Sequence, residues 1–195
     1  MATQPATLQS PIDTIYVNYF DSINDAKTKA LMAICSDIVA KQKPRCIYFL
    51  FSSAGGQVAS GITLYNFLRS LPVEIVMHNN GSIDSIANVI FLAASKRYAA
   101  RHSSFLFHGI SWNFAAGASL TFFQLKENLS SFEREETKIA SIVAERTKMS
   151  EAEIRELFRQ GESKDLKFAI DKGIIDEIRD PAIPKDAPLV TVNLN

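Results

Sequence analysis

The residues in this chain that could do chemistry fall in three short places. Gly55-Gly56 follows an apolar run, Ser85 sits in the stretch Gly81 to Asn88, and His108-Gly109 closes another apolar run. The stretch around Ser85 reads as a strand from Val73 to Met77, a tight turn at Asn79-Asn80-Gly81, and a helix start before the buried run Val89 to Ala94. Near the first turn of a helix, backbone N–H groups lack intrahelical partners and can donate to an anion. A serine hydroxyl there can attack a carbonyl while those N–H groups hold the oxyanion. A blander reading also fits, in which Ser82 or Ser85 caps the helix and His108 is a core histidine at a strand end. The order strand–Gly-Gly, strand–Ser, strand–His favours the functional reading. In an open parallel sheet these places share the carboxyl edge, where ligands bind. A serine, a histidine and bare N–H groups are the parts for acyl transfer.

The elements that must position them alternate along the chain. Thr14 to Phe20 is β-branched and aromatic, as strands are. Ala26 to Lys43 places Ala30, Leu31, Ile34, Cys35, Ile38 and Val39 on one helical face, and Lys43-Pro44 ends it. Cys46 to Phe51 is a continuous apolar strand of the kind buried on both faces. Ser52 to Gly56 turns, Gln57 to Ser70 is helical, and Leu71-Pro72 breaks it. The order βαβαβα implies right-handed crossovers and a parallel sheet. Ser95 to Ala100 reads as a connection and Ser103 to Phe107 as a strand. Trp112 to Ser119 reads as a loop of small residues. Leu120 to Thr147 is a long helix whose apolar side carries Phe122, Leu125, Leu129, Phe132, Ile139, Ile142 and Val143; it is expected to project beyond the core. Ser150 opens a short helix to Phe158 with a capping box. Asp165 caps another to Lys172, and Ile174 to Ile178 reads as a last strand.

Composition excludes several classes. The 195 residues are 47% hydrophobic, and 21 basic residues balance 21 acidic ones. That suits one compact α/β domain, residues 14–180, between a flexible tail at 1–13 and an irregular tail at 181–195. No basic footprint argues for nucleic acid, and no apolar run argues for a membrane span. The start of the chain lacks the features of a signal peptide, so the expected compartment is cytoplasmic. Cys35 and Cys46 read as buried thiols, and no ligand spacing argues for a metal or other cofactor.

These residues resemble the ClpP proteolytic subunit of Clp protease, within the wider ClpP/crotonase fold, over residues 14 to about 180. Ser53-Ala54-Gly55-Gly56 is similar to the family's Ser-Pro-Gly-Gly turn. Gly81 to Ala87 matches its nucleophile motif, with Ser85 on the serine, and Ser104 to His108 matches the block ending in its histidine. Ala93 to Tyr98 fits the segment between them, and Ala169 to Asp176 fits the family's Ala-x-x-x-Gly-Leu-Ile-Asp ending. The resemblance implies a repeated superhelix of β-β-α and βαβ units with a projecting handle helix at about 120–147. It implies a serine endopeptidase in which Ser85 attacks, His108 serves as base, and the N–H groups of Gly56 and Ile86 form the oxyanion hole. It also implies a homo-oligomer of stacked, heptameric rings, an AAA+ unfoldase as partner, and peptides or unfolded proteins as substrate.

The chain departs from the pattern at Ala54, which replaces proline, and at Ile83-Asp84, which replace Ala-Ala. The family's third catalytic residue, an aspartate, falls on Gly161, so Glu162 beside it is the expected orienting carboxylate. The segment before residue 14 is shorter than the family's axial region. Two other functions stay open: a catalytically impaired ClpP-like subunit that assists assembly or regulation, and a crotonase-type acyl-CoA enzyme.

Overall fold

The computed structural model describes residues 13–111 and 115–192. The expected tail at 1–13, apart from Asp13, and part of the Trp112 to Ser119 loop lie outside the described residues. In chain order the elements are β1 (Thr14–Phe20), α1 (Asp25–Gln42), β2 (Cys46–Ser53), α2 (Val58–Ser70), β3 (Glu74–Asp84), α3 (Ala87–Phe91), β4 (Lys96–Ala99), β5 (Ser104–Leu106), α4 (Phe122–Arg146), α5 (Glu151–Gln160), β6 (Ser163–Lys164), α6 (Leu166–Asp171), β7 (Glu177–Ile178) and β8 (Leu189–Thr191). The sheet runs β6-β5-β3-β2-β1-β8, with β4 between β3 and β7. Every pairing is parallel except β5 with β6.

Local chemistry accounts for the boundaries. Asn24 accepts from the Lys27 N–H at the start of α1, and Lys43 ends that helix in the left-handed region at φ 48°. Thr121 with Gln124, and Ser150 with Glu153, close capping boxes on α4 and α5. Asp165 caps α6 by accepting from the Phe168 N–H. β2 is buried almost throughout, as a strand covered on both faces must be. One continuous apolar cluster joins Ile15, Leu31, Phe49, Leu64, Met77, Phe91, Phe105, Ile139 and Ile154.

Three sequence expectations are corrected. Asn79-Asn80-Gly81 is not a turn, because β3 continues to Asp84 through a bulge opposite Phe51–Ser53. The buried Asn79 makes this possible: its amide donates to the Ser104 carbonyl (2.8 Å) and its oxygen accepts from the Gly81 N–H (3.0 Å). The extra length lets β3 pair first with β4 over Val76–Asn79 and then with β5 over Ser82–Asp84. Second, Ser95 to Ala100 is no mere connection but contains β4, anchored where Arg97 donates to the carbonyls of Arg146 (3.0 Å) and Gly173 (3.1 Å). Third, the C-terminal tail is not wholly irregular. Its β8 adds to β1, and the Pro188 carbonyl accepts from the Tyr16 N–H at 2.9 Å.

α4 extends 25 residues, and only Ile139, Ala140 and Val143 along it are buried. Phe122, Phe123, Leu125 and Leu129 are exposed, Phe123 at 79%. At its foot, Arg146 donates to the carbonyls of Leu92 (2.9 Å) and Ala94 (2.8 Å), just beyond α3.

Candidate active site

Ser85 occupies the corner between β3 and α3 with φ 58°. A non-glycine residue in the left-handed region is unfavourable and persists only where its surroundings enforce it. They do so here. The Ser85 N–H donates to the Leu106 carbonyl of β5 at 2.9 Å, and the Ser85 carbonyl accepts from the Asn88 N–H (3.1 Å) and side-chain amide (3.0 Å). Asn88 also donates to the Leu106 carbonyl at 2.8 Å. The sharp strand-to-helix corner lifts the serine side chain away from the sheet, in the manner of a nucleophile elbow.

The Gly-Gly turn after β2 lies against this corner. Gly55 has φ 84°, and a Cβ on it would sit 2.6 Å from Ser85 Cβ and 2.7 Å from the Asp84 carbonyl oxygen. A Cβ on Gly56 would sit 2.0 Å from the Ile23 carbonyl oxygen. No side chain fits at either position. The Ile23 N–H donates to the Gly55 carbonyl and the Gln57 N–H to the Ile23 carbonyl, each at 2.8 Å, so the strand end brackets Gly56. Among the described residues, neither the Gly56 N–H nor the Ile86 N–H has a hydrogen-bond acceptor. Gly61 of α2 allows Ile86 to close in: a Cβ there would stand 2.3 Å from Ile86 Cγ1.

Gly56, Ser85, Ile86 and His108 line one cleft of about 210 Å³, closed at the sides by Phe107, Ile139, Val143 and Phe158. His108 is half-buried. Its Nδ1 lies 2.7 Å from the Gly109 carbonyl oxygen. A carbonyl only accepts, so Nδ1 carries a proton, and in the neutral imidazole Nε2 then holds the lone pair. That is the tautomer a general base needs. Ser85 and His108 are not hydrogen-bonded to each other, the loose arrangement common where no substrate is bound.

The expected third member is not brought to this cleft. The Glu162 carboxylate accepts from Lys164 Nζ at 3.1 Å, is 69% exposed, and makes no hydrogen bond with His108. Gly161 is the reason. As the left-handed C-cap of α5, at φ 60°, it turns the chain so that Glu162 points outward before β6 begins. Asp84, the carboxylate that stands next to the serine where the family pattern has alanine, is half-buried. Burial raises its carboxyl above the usual value, opposed by a hydrogen bond from Ser82 and by the charge of His108. Among the described residues no group of His, Cys, Asp and Glu is placed to hold a metal ion.

The family model for Clp protease matches residues 8–182. The chain belongs to the Clp protease family. A protein of Leifsonia xyli called ATP-dependent Clp protease proteolytic subunit 1 is 21% identical over 94% of this chain and 92% of its own length. The ATP-dependent Clp protease proteolytic subunit 2 of Pseudomonas aeruginosa is 33% identical over 37% of each chain. The solved structure of the ClpP1 N165D mutant from Listeria monocytogenes superposes with a TM-score of 0.73 at 18% identity, covering 87% of this chain and 92% of that one. The fold is the ClpP/crotonase-like α/β fold that the sequence implied.

Proposed function

We propose that this family member is a serine peptidase working with a Ser85–His108 dyad. The observation that carries the reading is Ser85 itself, held at φ 58° on the edge of a cleft it shares with His108 and two unoccupied N–H donors. Ser85 Oγ attacks the scissile carbonyl and passes its proton to His108 Nε2. The N–H groups of Gly56 and Ile86 take the charge that develops on the carbonyl oxygen. Breaking the C–N bond returns the proton from His108 to the leaving amine, and water then releases the acyl group by the same steps. In place of a triad carboxylate, the Gly109 carbonyl fixes the imidazole's tautomer.

The relatives' names, proteolytic subunits of an ATP-dependent protease, support a chamber of stacked rings fed with unfolded chains by an AAA+ ATPase. The exposed apolar half of α4 supports ring-to-ring contact, since so much apolar surface is costly in water. Among the described residues no helix is long and apolar enough to cross a membrane, and the proposed place of action is the cytoplasm. A second reading, an impaired subunit that assists assembly, is favoured by Gly161 and the outward Glu162.

A serine-directed fluorophosphonate separates the two. The first reading expects covalent labelling on Ser85, identified by mass spectrometry and lost in Ser85→Ala with the fold retained. An assembled protein that resists labelling, or is labelled elsewhere, overturns it in favour of the second.

A further inference from the structure

We propose that Asp84 supplies the countercharge for His108 in this chain, acting through space while the Gly109 carbonyl sets the imidazole's tautomer. The inference rests on the dyad reading above. Its basis is register. Asp84 of β3 pairs with Leu106 of β5 in parallel, so their side chains leave the same face of the sheet. Burial alternates through Phe105, Leu106, Phe107 and His108, buried residues alternating with half-buried ones. His108 therefore continues the face that Leu106 and Asp84 share. Ile83, opposite Phe105, points with it into the core, and Asp84 does not.

The pairing sets Asp84 beside Leu106, two residues before His108, and the charge of His108 lowers the Asp84 carboxyl against the effect of its burial. Asp84 is partly shielded from water, so its field is screened less than that of a surface carboxylate. A hydrogen bond from the Ser82 side chain, two residues back on β3, favours its charged form. When Ser85 gives up its proton, the imidazolium that forms needs a countercharge. Glu162 spends its charge on Lys164 at the surface. Other ionisable groups around this end of the site belong to the helices and to β6. Glu136 of α4 has Oε1 3.2 Å from where a Gly109 Cβ would lie, and Arg155 and Arg159 of α5 share that recess and oppose its charge. Glu162 and Lys164 pair on the far side of β5. Asp84 is the carboxylate on the His108 face of β3 itself.

The charge is present only above the Asp84 pKa, which burial lifts. Acid therefore weakens the site by neutralising that support. The test is the pH dependence of fluorophosphonate labelling of the assembled protein, for the wild type, Asp84→Asn and Asp84→Glu. The expected wild-type profile carries a downward break toward acid that reports the Asp84 carboxyl. In Asp84→Asn that break is lost. The maximal rate falls about tenfold, less than the roughly 100- to 10,000-fold that an acid–base group itself contributes. Asp84→Glu restores the break, which a merely structural role would not do. A wild-type profile with no such break, or an Asp84→Asn profile equal to the wild type's, overturns this inference and leaves the dyad standing. Absence of any wild-type labelling overturns the dyad instead.

Discussion

Gly61→Ala on α2 is a sharp perturbation because it acts on the oxyanion site from outside the cleft. A helix-interior glycine changed to alanine ordinarily gains about 1 kcal/mol from propensity. Here the new Cβ would stand 2.3 Å from Ile86 Cγ1, 3.3 Å from Cδ1 and 3.4 Å from Cβ. Carbon atoms in contact settle about 3.5–4.0 Å apart, so Ile86 must retreat by more than about 1 Å. Ile86 is 1% exposed and has three of its side-chain atoms within 3.4 Å of the new Cβ, so part of the shift passes to its backbone. Overpacking of this kind costs about 1–3 kcal/mol. The net expectation is a loss of about 0–2 kcal/mol, measured by thermal or urea unfolding. The Ile86 N–H moves with the residue. Complete loss of one oxyanion donor costs about 100- to 1000-fold, and a partial displacement should slow phosphonate labelling at least tenfold. Ile86→Ala removes both Cγ1 and Cδ1, so Gly61→Ala on that background should no longer destabilise. The two changes should therefore be coupled by about 1–2 kcal/mol. A Gly61→Ala protein that gains the full propensity term and labels at the wild-type rate would refute the reasoning.

Other expectations follow from single contacts. Glu162→Gln should leave the labelling rate within about twofold and stability within about 1 kcal/mol, because the Glu162 carboxylate in its pair with Lys164 is 69% exposed; a loss of orders of magnitude would return Glu162 to the site. Sedimentation at micromolar concentration should find a large homo-oligomer that Phe123→Glu with Leu129→Glu reduces to smaller species, whereas a wild-type monomer would contradict the stacking. His78 is fully buried, with Nε2 donating to the Arg179 carbonyl at 2.8 Å and Nδ1 accepting from the Tyr48 hydroxyl at 2.7 Å. Burial, helped by the charge of Arg179, lowers its pKa below the usual 6.5. The unfolded chain then binds the proton more tightly, so this contribution to stability is whole above about pH 6.5 and is lost as pH falls below it toward the folded value. His78→Phe, less stable at neutral pH, should flatten that dependence; an equally steep acid loss would place its origin elsewhere.

The sequence made some elements legible and hid others for physical reasons. β1, α1 and the capped starts of α5 and α6 could be read because periodicity and capping are local. The course of β3 beyond Met77 could not, because Asn-Asn-Gly has the composition of a turn. Only the tertiary fold supplies the Ser104 carbonyl that Asn79 bonds. β4 was hidden by Lys96 and Arg97, whose polarity masks a strand stabilised by the carbonyls that Arg97 reaches. β8 was hidden in a proline-rich tail. At the site, Gly55-Gly56 was readable because the backbone there leaves no room for a Cβ, whereas Ser85 and His108 were readable only as candidates by order and spacing. Sequence offset could rank Glu162 as nearest to the missing aspartate but carried no information on its direction, which the left-handed Gly161 decides. Asp84 could be seen as unusual, but its face in the sheet depends on a pairing with β5 that sequence alone does not reveal.

Arg146 gives the long helix a mechanical meaning. At 1.5 Å per residue, the 25 residues of α4 make a rod about 37 Å long, gripped at one end. The grip is on the Leu92 and Ala94 carbonyls, and the short helix that leads into them has Ile86 as its N-cap. A sideways push of about 4 Å on the tip would tilt such a rod by about 6°, and the Arg146 hydrogen bonds are the link by which that tilt would reach the segment after Ile86. A partner seated against the tip would then bear on the cleft without touching it. Arg146→Gln would leave the tip's surface intact and cut the linkage, so its labelling rate should no longer depend on the state of assembly.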